Sequence, residues 1–427
     1  MPDSLQIALK NDSDLSNIHA YISGIAIQHD GKRCLLKANG KDLYFPENPP
    51  AIGSPLTEDC AIPLGAPGNT TTVTVGRIHC LRGRRTLTEP TDSPDSWWSY
   101  LDSRGVLNPS DPNANVNFGF CEFTNNQSQL YANISYVDHV PRIPIAITLQ
   151  QASGQIQHVT GMAPDGLDKL ADGLRQQAQQ DGRPWDKLIV NHDGQNLRIL
   201  NATHGNAVGA NFDGYYEPHI DEVWQKYQSG SCMKINTQAG PGILEGKVNS
   251  NGELMVGDEA FSKPNSADVF GCNSGPFTTG SSATRNAIIP RLAAAFHRST
   301  LMITEDHPSD PKTFYPQDPT NHYARLVHEV NIDNKGYAFA YDDVQIDGGE
   351  DQSGKVNAGD PVLFTVTVGG KSAAGRGVQP QQQPQQQPVG QQEYTRGPPP
   401  PPPGQGEQEH EGGLRGKLKG LAGRFGH

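Results

Sequence analysis

The chain has 427 residues, of which 34% are hydrophobic and 19% charged, and its formal net charge is −12. Residues 371–427 contain seven Lys/Arg and four Asp/Glu, a net charge of +3, so the preceding residues carry −15. An acidic body repels phosphates and argues against a nucleic-acid partner, whereas it is compatible with a neutral polyol such as a glycan. The length suffices for two domains or for one large domain with an insertion.

The six cysteines are scattered, with no C-x-x-C pair and no Cys/His cluster at zinc spacing, so we expect neither a disulfide framework nor a metal site. The N-terminus shows no basic segment followed by an apolar one, so no signal peptide is predicted, and we expect a cytoplasmic or non-classically secreted monomer. No run approaches the ~18–20 apolar residues of a membrane span. We interpret the N-x-[ST] matches that begin at Asn69, Asn126, Asn133 and Asn201 as chance.

Residues 1–154 consist of short segments rich in Val, Ile, Thr and aromatic residues, separated by Asp-Gly, Asn-Gly and Pro-Gly pairs. Seven strand segments are predicted: "LQIALKN", "HAYISGIAIQ", "RCLLKA", "TTTVTVGRI", "NVNFGFCEF", "YANISYV" and "IPIAITLQ". Strands at this spacing are typical of a β-sandwich or an open barrel.

Residues 155–320 have a mixed α/β pattern. A first helix is predicted in "PDGLDKLADGLRQQAQQ", where Leu167, Leu170 and Leu174 recur at helical spacing. A second is predicted in "YYEPHIDEVWQKYQSG", and a third, interrupted by Pro290, in "TRNAIIPRLAAAFHRSTLM". A strand is expected in "DKLIVNH" and a hairpin in "EGKVNSNGELMVG". The pattern indicates an α/β unit inserted into the β domain.

Residues 321–370 are predicted to return to the first sheet system through the strands "GYAFAYDDVQ" and "PVLFTVTVGG". Residues 371–411 form a Pro/Gln/Gly-rich linker whose composition predicts disorder and whose poly-Pro run suits an SH3 or WW module. Residues 412–427 form a short basic amphipathic motif. Two interpretations of this motif stay open: docking to a membrane surface or protein groove, and a disordered chain end.

The motifs of other chemistries are missing from the sequence. It contains no G-x-S-x-G, no Walker loop, no H-E-x-x-H and no Rossmann glycine fingerprint. His322 and His328 are six residues apart, a poor spacing for one helical face, so hydrogen-bonded or exposed histidines are favoured over metal ligands. We therefore expect no metal and no cofactor, and the carboxylates remain as the candidates for chemistry.

Glu122 and Asp138 lie in the stretch "FGFCEFTNNQSQLYANISYVDHV", which contains few other charges. Glycosidic hydrolysis needs two carboxyl groups, one protonated and one ionised, with pKa values separated by their environments. Even spacing from Phe118 and Phe120 predicts that Glu122 lies on an apolar face, where burial would raise its pKa as an acid requires. Asp138 is expected nearer to solvent, as a base requires. Taken alone, such a pair is also an ordinary feature of a β protein, with both acids on solvent-facing sides of strands.

Several segments together resemble glycoside hydrolase family 64, the endo-β-1,3-glucanases of the thaumatin-like superfamily: "CAIPLGAPGNTTTVTV", "NFGFCEFTNNQSQLYANISYVDHVPRIPIAITLQ", "DVFGCNSGPF" and "NHYARLVHEVNIDNKGYAFAYDDV". The resemblance covers about residues 4–370. It implies a mainly β protein: a thaumatin-like sandwich or barrel and a mixed α/β domain that together form a wide groove. It further implies that β-1,3-glucan is bound there.

The resemblance also assigns roles to residues. It implies that Glu122 is the general acid and Asp138 the general base of an inverting hydrolysis. Thr124 and Asn126 match positions expected to touch sugar, and Tyr131 occupies a position where an aromatic residue is expected. The alternative is a non-catalytic β-1,3-glucan-binding protein on the same scaffold.

An inverting mechanism requires a particular distance between the carboxyl groups of Glu122 and Asp138. A tight hairpin turning near Gln127 would place Glu122 opposite about Ala132, six residues short of Asp138. In a straight strand this separation is roughly 20 Å, whereas an inverting pair is about 6.5–9.5 Å apart. The strands must therefore bend, end early or turn through a longer loop.

Overall fold

The computed structural model describes residues 4–26, 29, 31–47, 56–76, 107 and 114–370, together with the backbone of 82–88. The predictions made for residues 371–411 and 412–427 lie outside the described residues. Most of the described secondary structure is β-strand, as expected. No helix within the described ranges combines the length and the apolar character that crossing a membrane requires.

Each of the seven predicted strand segments contains at least one strand. The strands up to residue 159 are β1 (Ser4–Asn11), β2 (His19–Ala26), β3 (Lys32–Leu36), β4 (Leu43–Tyr44), β5 (Ile62–Pro63), β6 (Thr70–Gly76), β7 (Arg82–Thr88), β8 (Phe118–Gly119), β9 (Cys121–Asn125), β10 (Leu130–Ile134), β11 (His139–Pro141), β12 (Ile145–Gln151) and β13 (Ile156–Val159).

Helices and shorter strands follow. The middle of the chain contains α1 (Gly166–Asp181), β14 (Ile189–His192), β15 (Gln195–Leu200), α2 (Glu217–Gln228), β16 (Met233–Asn236), β17 (Ile243–Val248), β18 (Leu254–Val256), β19 (Glu259–Phe261), α3 (Ser266–Gly271), α4 (Ala283–His297) and β20 (Asp306–His307). The last described elements are α5 (His322–Val330), β21 (Lys355–Ala358) and β22 (Pro361–Val368).

Two sheets form a sandwich. The strand order is β13-β12-β22-β1-β6 in one sheet and β21-β10-β9-β7-β2-β3-β4 in the other, with β5 beside β2 and β8 beside β7. The sheets pack through buried side chains, including Phe123 of β9 and Phe364 of β22, whose ring centroids are 6.0 Å apart. Strand β22 pairs in parallel with β1 and antiparallel with β12. The end of the described chain thus completes a sheet begun by its first strand.

The residues between β13 and β21 form the mixed α/β part, which contains the sheet β19-β18-β17-β16-β20. Its strands β14 and β15 form a second sheet with β11, which comes earlier in the chain. Leu167, Leu170 and Leu174 of α1 are all buried, as their spacing predicts. Helix α1 packs on α5 at Gly173, where an added Cβ would lie 2.9 Å from Cδ2 of Leu326. The missing side chain therefore permits the close approach of the two helices.

Two predictions about elements are wrong. Helix α4 continues through the buried Pro290, because the proline removes only one backbone donor from a helix that is packed in the core. The segment "GYAFAYDDVQ", predicted to be a strand, is an isolated bridge at Tyr337 followed by turns. Asp342 explains the difference: its Oδ2 accepts a hydrogen bond from the Ala338 N–H at 3.0 Å, which folds the chain around the buried carboxylate.

Candidate active site

The hairpin of β9 and β10 brings three of the predicted residues together. Antiparallel pairing places Glu122 opposite Asn133 and Thr124 opposite Tyr131. Residues directly opposite each other, and those two positions apart along a strand, share a face of the sheet. Glu122, Thr124 and Tyr131 therefore lie side by side on one polar face, with Asn133 as a neighbour that the sequence did not single out.

The turn of this hairpin uses the side chain of Asn126. Its Oδ1 accepts hydrogen bonds from the Ser128 N–H (2.9 Å), the Ser128 hydroxyl (2.8 Å) and the Gln129 N–H (2.9 Å). The Asn126 N–H donates to the Gln129 carbonyl at 3.0 Å. With this turn Glu122 pairs with Asn133, one residue beyond the predicted partner Ala132.

The environment of Glu122 differs from the prediction. The residues of β9 that enter the sandwich core are Cys121 and Phe123, so Glu122 lies on the opposite face and is half-buried. Phe118 and Phe120 lie against the ring of His139 at centroid distances of 4.9 and 5.6 Å. The apolar face predicted from their even spacing is thus a local cluster around this histidine.

Asp138 lies on the segment between β10 and β11. Strand β10 ends at Ile134, after which Ser135 forms a parallel bridge with Tyr337 and the Tyr136 N–H donates to the Tyr337 carbonyl at 2.9 Å. The chain has therefore left the hairpin before it reaches Asp138, and the straight-strand separation does not apply. Asp138 is only 8% exposed, more buried than Glu122, which reverses the expected order.

A short turn after β15 holds Asp138. Nε2 of His204 lies 3.1 Å from Oδ1 of Asp138, and the Asn201 N–H donates to the Asp138 carbonyl at 2.9 Å. Asn201 begins the 3₁₀ turn Ala202–Val208, and its side chain accepts from the Thr203 N–H. His204 has no local signal in the sequence, because 66 residues separate it from Asp138.

His139 is adjacent to Asp138 but serves a different purpose. Burial, aided by the positive charge of Arg198, lowers the pKa of His139 to about 4. The ring is therefore neutral at pH 7, and its Nε2–H donates to the Phe118 carbonyl at 3.0 Å. His139 fixes the start of β8 and does not supply a charge to the site.

Tyr337 lies near Glu122 and contacts Asp343. The Tyr337 hydroxyl is 2.9 Å from the Ala340 carbonyl and 3.1 Å from Oδ1 of Asp343. Burial raises the pKa of the Tyr337 phenol well above 10, and the nearby Asp343, Tyr131 and Glu122 add to the shift. The phenol therefore stays protonated and acts as a donor. The sequence feature that points to Tyr337 and Asp343 is the acidic pair Asp342–Asp343 within the aromatic segment "GYAFAYDDVQ".

Asn201 connects the surroundings of the two acids. Its Nδ2 donates to the Ala338 carbonyl at 2.8 Å, while its backbone N–H binds Asp138. Ala338 follows Tyr337, the phenol that adjoins Glu122. Asn201 is 2% exposed and its amide nitrogen is engaged, so this N-x-[ST] match cannot accept a glycan in the folded chain.

The described ranges contain no group of three or more His, Cys, Asp or Glu side chains arranged to hold a metal ion. His322 and His328, which are six residues apart in the sequence, have separate partners. His328 pairs with Asp342, with 3.0 Å between Nε2 and Oδ2, and Nδ1 of His322 accepts from Arg325 at 3.2 Å. The chemistry visible at the site is that of carboxyl groups.

Glycoside hydrolases use two carboxyl groups, and the candidates in this structure are Glu122 on β9 and Asp138 between β10 and β11. A family model described as beta-1,3-glucanase, glycoside hydrolase family 64, matches residues 3–368. The chain belongs to this family, which confirms the resemblance seen in the sequence.

Curated relatives and solved structures agree with this assignment. Glucan endo-1,3-beta-glucosidases from Cellulosimicrobium cellulans and Arthrobacter sp. (strain YCWD3) are 27% and 28% identical over 362 and 365 residues, in each case 81% of this chain. The chain spans 62% of the length of these relatives. A laminaripentaose-producing beta-1,3-glucanase, solved in complex with laminaritetraose, is 27% identical with a TM-score of 0.73, covering 86% of this chain and 99% of its own. A family 64 beta-1,3-glucanase domain from Clostridium beijerinckii shares the fold at 20% identity and a TM-score of 0.63, covering 86% of this chain and 98% of its own.

Proposed function

We propose that the protein hydrolyses internal bonds of β-1,3-glucan with inversion, with Glu122 as general acid and Asp138 as general base. The observation that carries the proposal is membership of the family over residues 3–368, a range that includes Glu122 and Asp138, sixteen positions apart. Asp138 is oriented by hydrogen bonds to its side chain and its backbone, and Glu122 shares its face with Thr124 and Tyr131.

The reaction needs two coordinated proton transfers. Glu122 donates its proton to the glycosidic oxygen as the bond from C1 to that oxygen breaks. Asp138 accepts a proton from a water molecule whose oxygen bonds to C1 from the opposite face of the sugar. The products are a new reducing end with α configuration and a free 3-hydroxyl group, and solvent then restores both carboxyl groups. In a complex of the protein with glucan, the carboxyl groups of Glu122 and Asp138 should lie about 6.5–9.5 Å apart.

Substrate recognition is proposed for the same face. Thr124 and the amide of Asn126 would bind sugar hydroxyls, and Tyr131 would supply an apolar ring surface. The scaffold is proposed to be thaumatin-like, with a wide groove between the sandwich and the α/β part that admits the chain along its length. Such an open groove suits cleavage of internal bonds.

The central prediction concerns the two acids. Incubation with laminarin should release reducing ends, and Glu122→Gln and Asp138→Asn should each lower kcat by about 10²–10⁴-fold, since each removes one proton transfer. Glu222→Gln, an exposed substitution on α2, is the matched control and should keep full activity. Full activity in Glu122→Gln would contradict the assigned acid.

The alternative function is glucan binding without cleavage. Retention by a laminarin affinity gel with no reducing ends from the unsubstituted protein would favour that alternative. The stereochemistry is tested separately by ¹H NMR of the first product. An inverting enzyme releases the α anomer before mutarotation, so the β anomer appearing first would contradict inversion.

A further inference from the structure

We propose that His204 is a positioning residue that fixes Oδ1 of Asp138 and thereby aims the other carboxylate oxygen at the attacking water. This role rests on the proposed hydrolysis. His204 is not among the site residues predicted from the sequence, and none of the four segments that resemble the family contains it. Nε2 of His204 lies 3.1 Å from Oδ1 of Asp138.

The chemistry of the contact determines where the proton lies. An ionised carboxylate only accepts hydrogen bonds, so Nε2 of His204 must carry the hydrogen when Asp138 acts as a base. The side chains are 18% and 11% exposed, so little water competes with this bond. Hydrogen bonds to an ionised acceptor are shorter and stronger than neutral ones, and shielding from water strengthens them further.

The backbone fixes both partners. The His204 N–H donates to the Asn201 carbonyl at 2.9 Å, and the Asn201 N–H donates to the Asp138 carbonyl at 2.9 Å. The side chain of Asn201 accepts from the Thr203 N–H at 3.1 Å and donates to Ala338. One turn therefore holds Asp138 by its backbone through Asn201 and by its side chain through His204. Two attachment points set the direction of the carboxylate as well as its place.

Three other groups in this region have hydrogen-bond partners of their own. His139 is neutral and directs its Nε2–H at Phe118. The cation beside His139 is Arg198, whose Nη2 donates to the Val116 carbonyl. The Tyr323 hydroxyl donates to the Tyr136 carbonyl at 2.6 Å, and burial together with the charge of Asp138 raises the pKa of this phenol.

A pair of substitutions isolates the role. His204→Leu removes the donor at similar volume, whereas His204→Gln places an amide N–H near the position of Nε2. With laminarin as substrate, His204→Leu should lower kcat about 10- to 100-fold with little change in KM, because one hydrogen bond to a charged group is lost. His204→Gln should recover most of this activity.

The pH profile gives a second readout. A hydrogen bond donated to the ionised carboxylate favours the form that acts as a base. Its loss favours the protonated form, so the acidic limb of kcat/KM should move to higher pH in His204→Leu and stay in place in His204→Gln. Equal losses in both variants, a change in KM alone, or an unmoved limb would overturn the positioning role.

A thermal double-mutant cycle tests the pair without any activity. His204→Leu and Asp138→Ala should lower the Tm by amounts that do not add in the double variant. Additive shifts would overturn the His204–Asp138 pair whether or not laminarin is cleaved. Non-additive shifts with no reducing ends from the unsubstituted protein would instead reject the hydrolytic function, and the role of His204 would fall with it.

Discussion

The buried carboxylate of Asp342 is held by several residues that are distant from it in the sequence or in the same turn. Burial alone would raise its pKa, but His328, Arg298 and the Ala338 N–H more than offset this effect, and the pKa is lowered from its ordinary 3.8. Arg298 donates to Oδ1 of Asp342 at 3.0 Å and to the Val344 carbonyl. This network sets the turn that carries Asp343, a partner of the Tyr337 hydroxyl.

Asp342→Asn is expected to lower the free energy of unfolding by about 3–5 kcal/mol at pH 7, because it leaves Arg298 buried without its counter-charge. A group whose pKa is lowered in the folded state adds stability above its unfolded pKa and loses it as the pH falls. The difference between wild type and variant should therefore shrink below about pH 4. Urea denaturation from pH 7 to pH 3 measures it.

The control for this prediction is Asp172→Asn, which removes an exposed ion pair with Arg175. Surface pairs of this kind contribute about 0–1 kcal/mol. A similar loss in both variants, or a loss in Asp342→Asn that does not change with pH, would contradict the expected role of the buried pair.

At the scale of elements, the side chain of Asn126 in the β9–β10 turn is expected to contribute both to folding stability and to sugar binding. Asn126→Ala removes an acceptor of three hydrogen bonds and should cost about 1–2 kcal/mol of folding free energy. Asn126→Asp keeps the acceptor and should keep the stability. The aspartate lacks the amide donor, so it should raise the KM for laminarin if that amide binds sugar.

Chemical denaturation and steady-state kinetics separate these two contributions of Asn126. Ser128→Ala serves as the control, because it removes one of the three donors and leaves the amide intact. If Asn126→Asp kept both its stability and its KM, Asn126 would belong to the turn alone.

Local patterns predicted most elements and failed where burial was decided by distant residues. The spacing of Leu167, Leu170 and Leu174 defined the buried face of α1 because the contacts repeat every turn. The alternation in "GYAFAYDDVQ" suggested a strand, yet a carboxylate paired with a distant Arg298 required turns. Strand β10 likewise ends at Ile134 because Ser135 pairs with Tyr337, about 200 residues later.

At the scale of the whole molecule, β22 closes the first sheet. It lies between β1 and β12, and its residues Phe364, Val366 and Val368 are fully buried. A chain ending at Gly370 should therefore keep the Tm of the full chain, whereas one ending at Asp360 should fail to fold. Thermal denaturation followed by circular dichroism tests both.

The two shortened chains differ by only ten residues, so each serves as the control for the other. A cooperative transition in the chain ending at Asp360 would show that the sandwich does not need β22. A large loss of Tm in the chain ending at Gly370 would show that residues 371–427 contribute to the stability of the preceding unit.

The sequence by itself determined the mainly β architecture and the family, and it supplied Glu122 and Asp138 as the acids of the proposed mechanism. These features depend on residue spacing within a strand or a motif, which a chain carries locally. Only the tertiary structure decided that Asp138 is more buried than Glu122, and that His204 and Tyr337 adjoin the acids. Such contacts join residues 66 to more than 200 positions apart, and their geometry depends on the packing of separate elements.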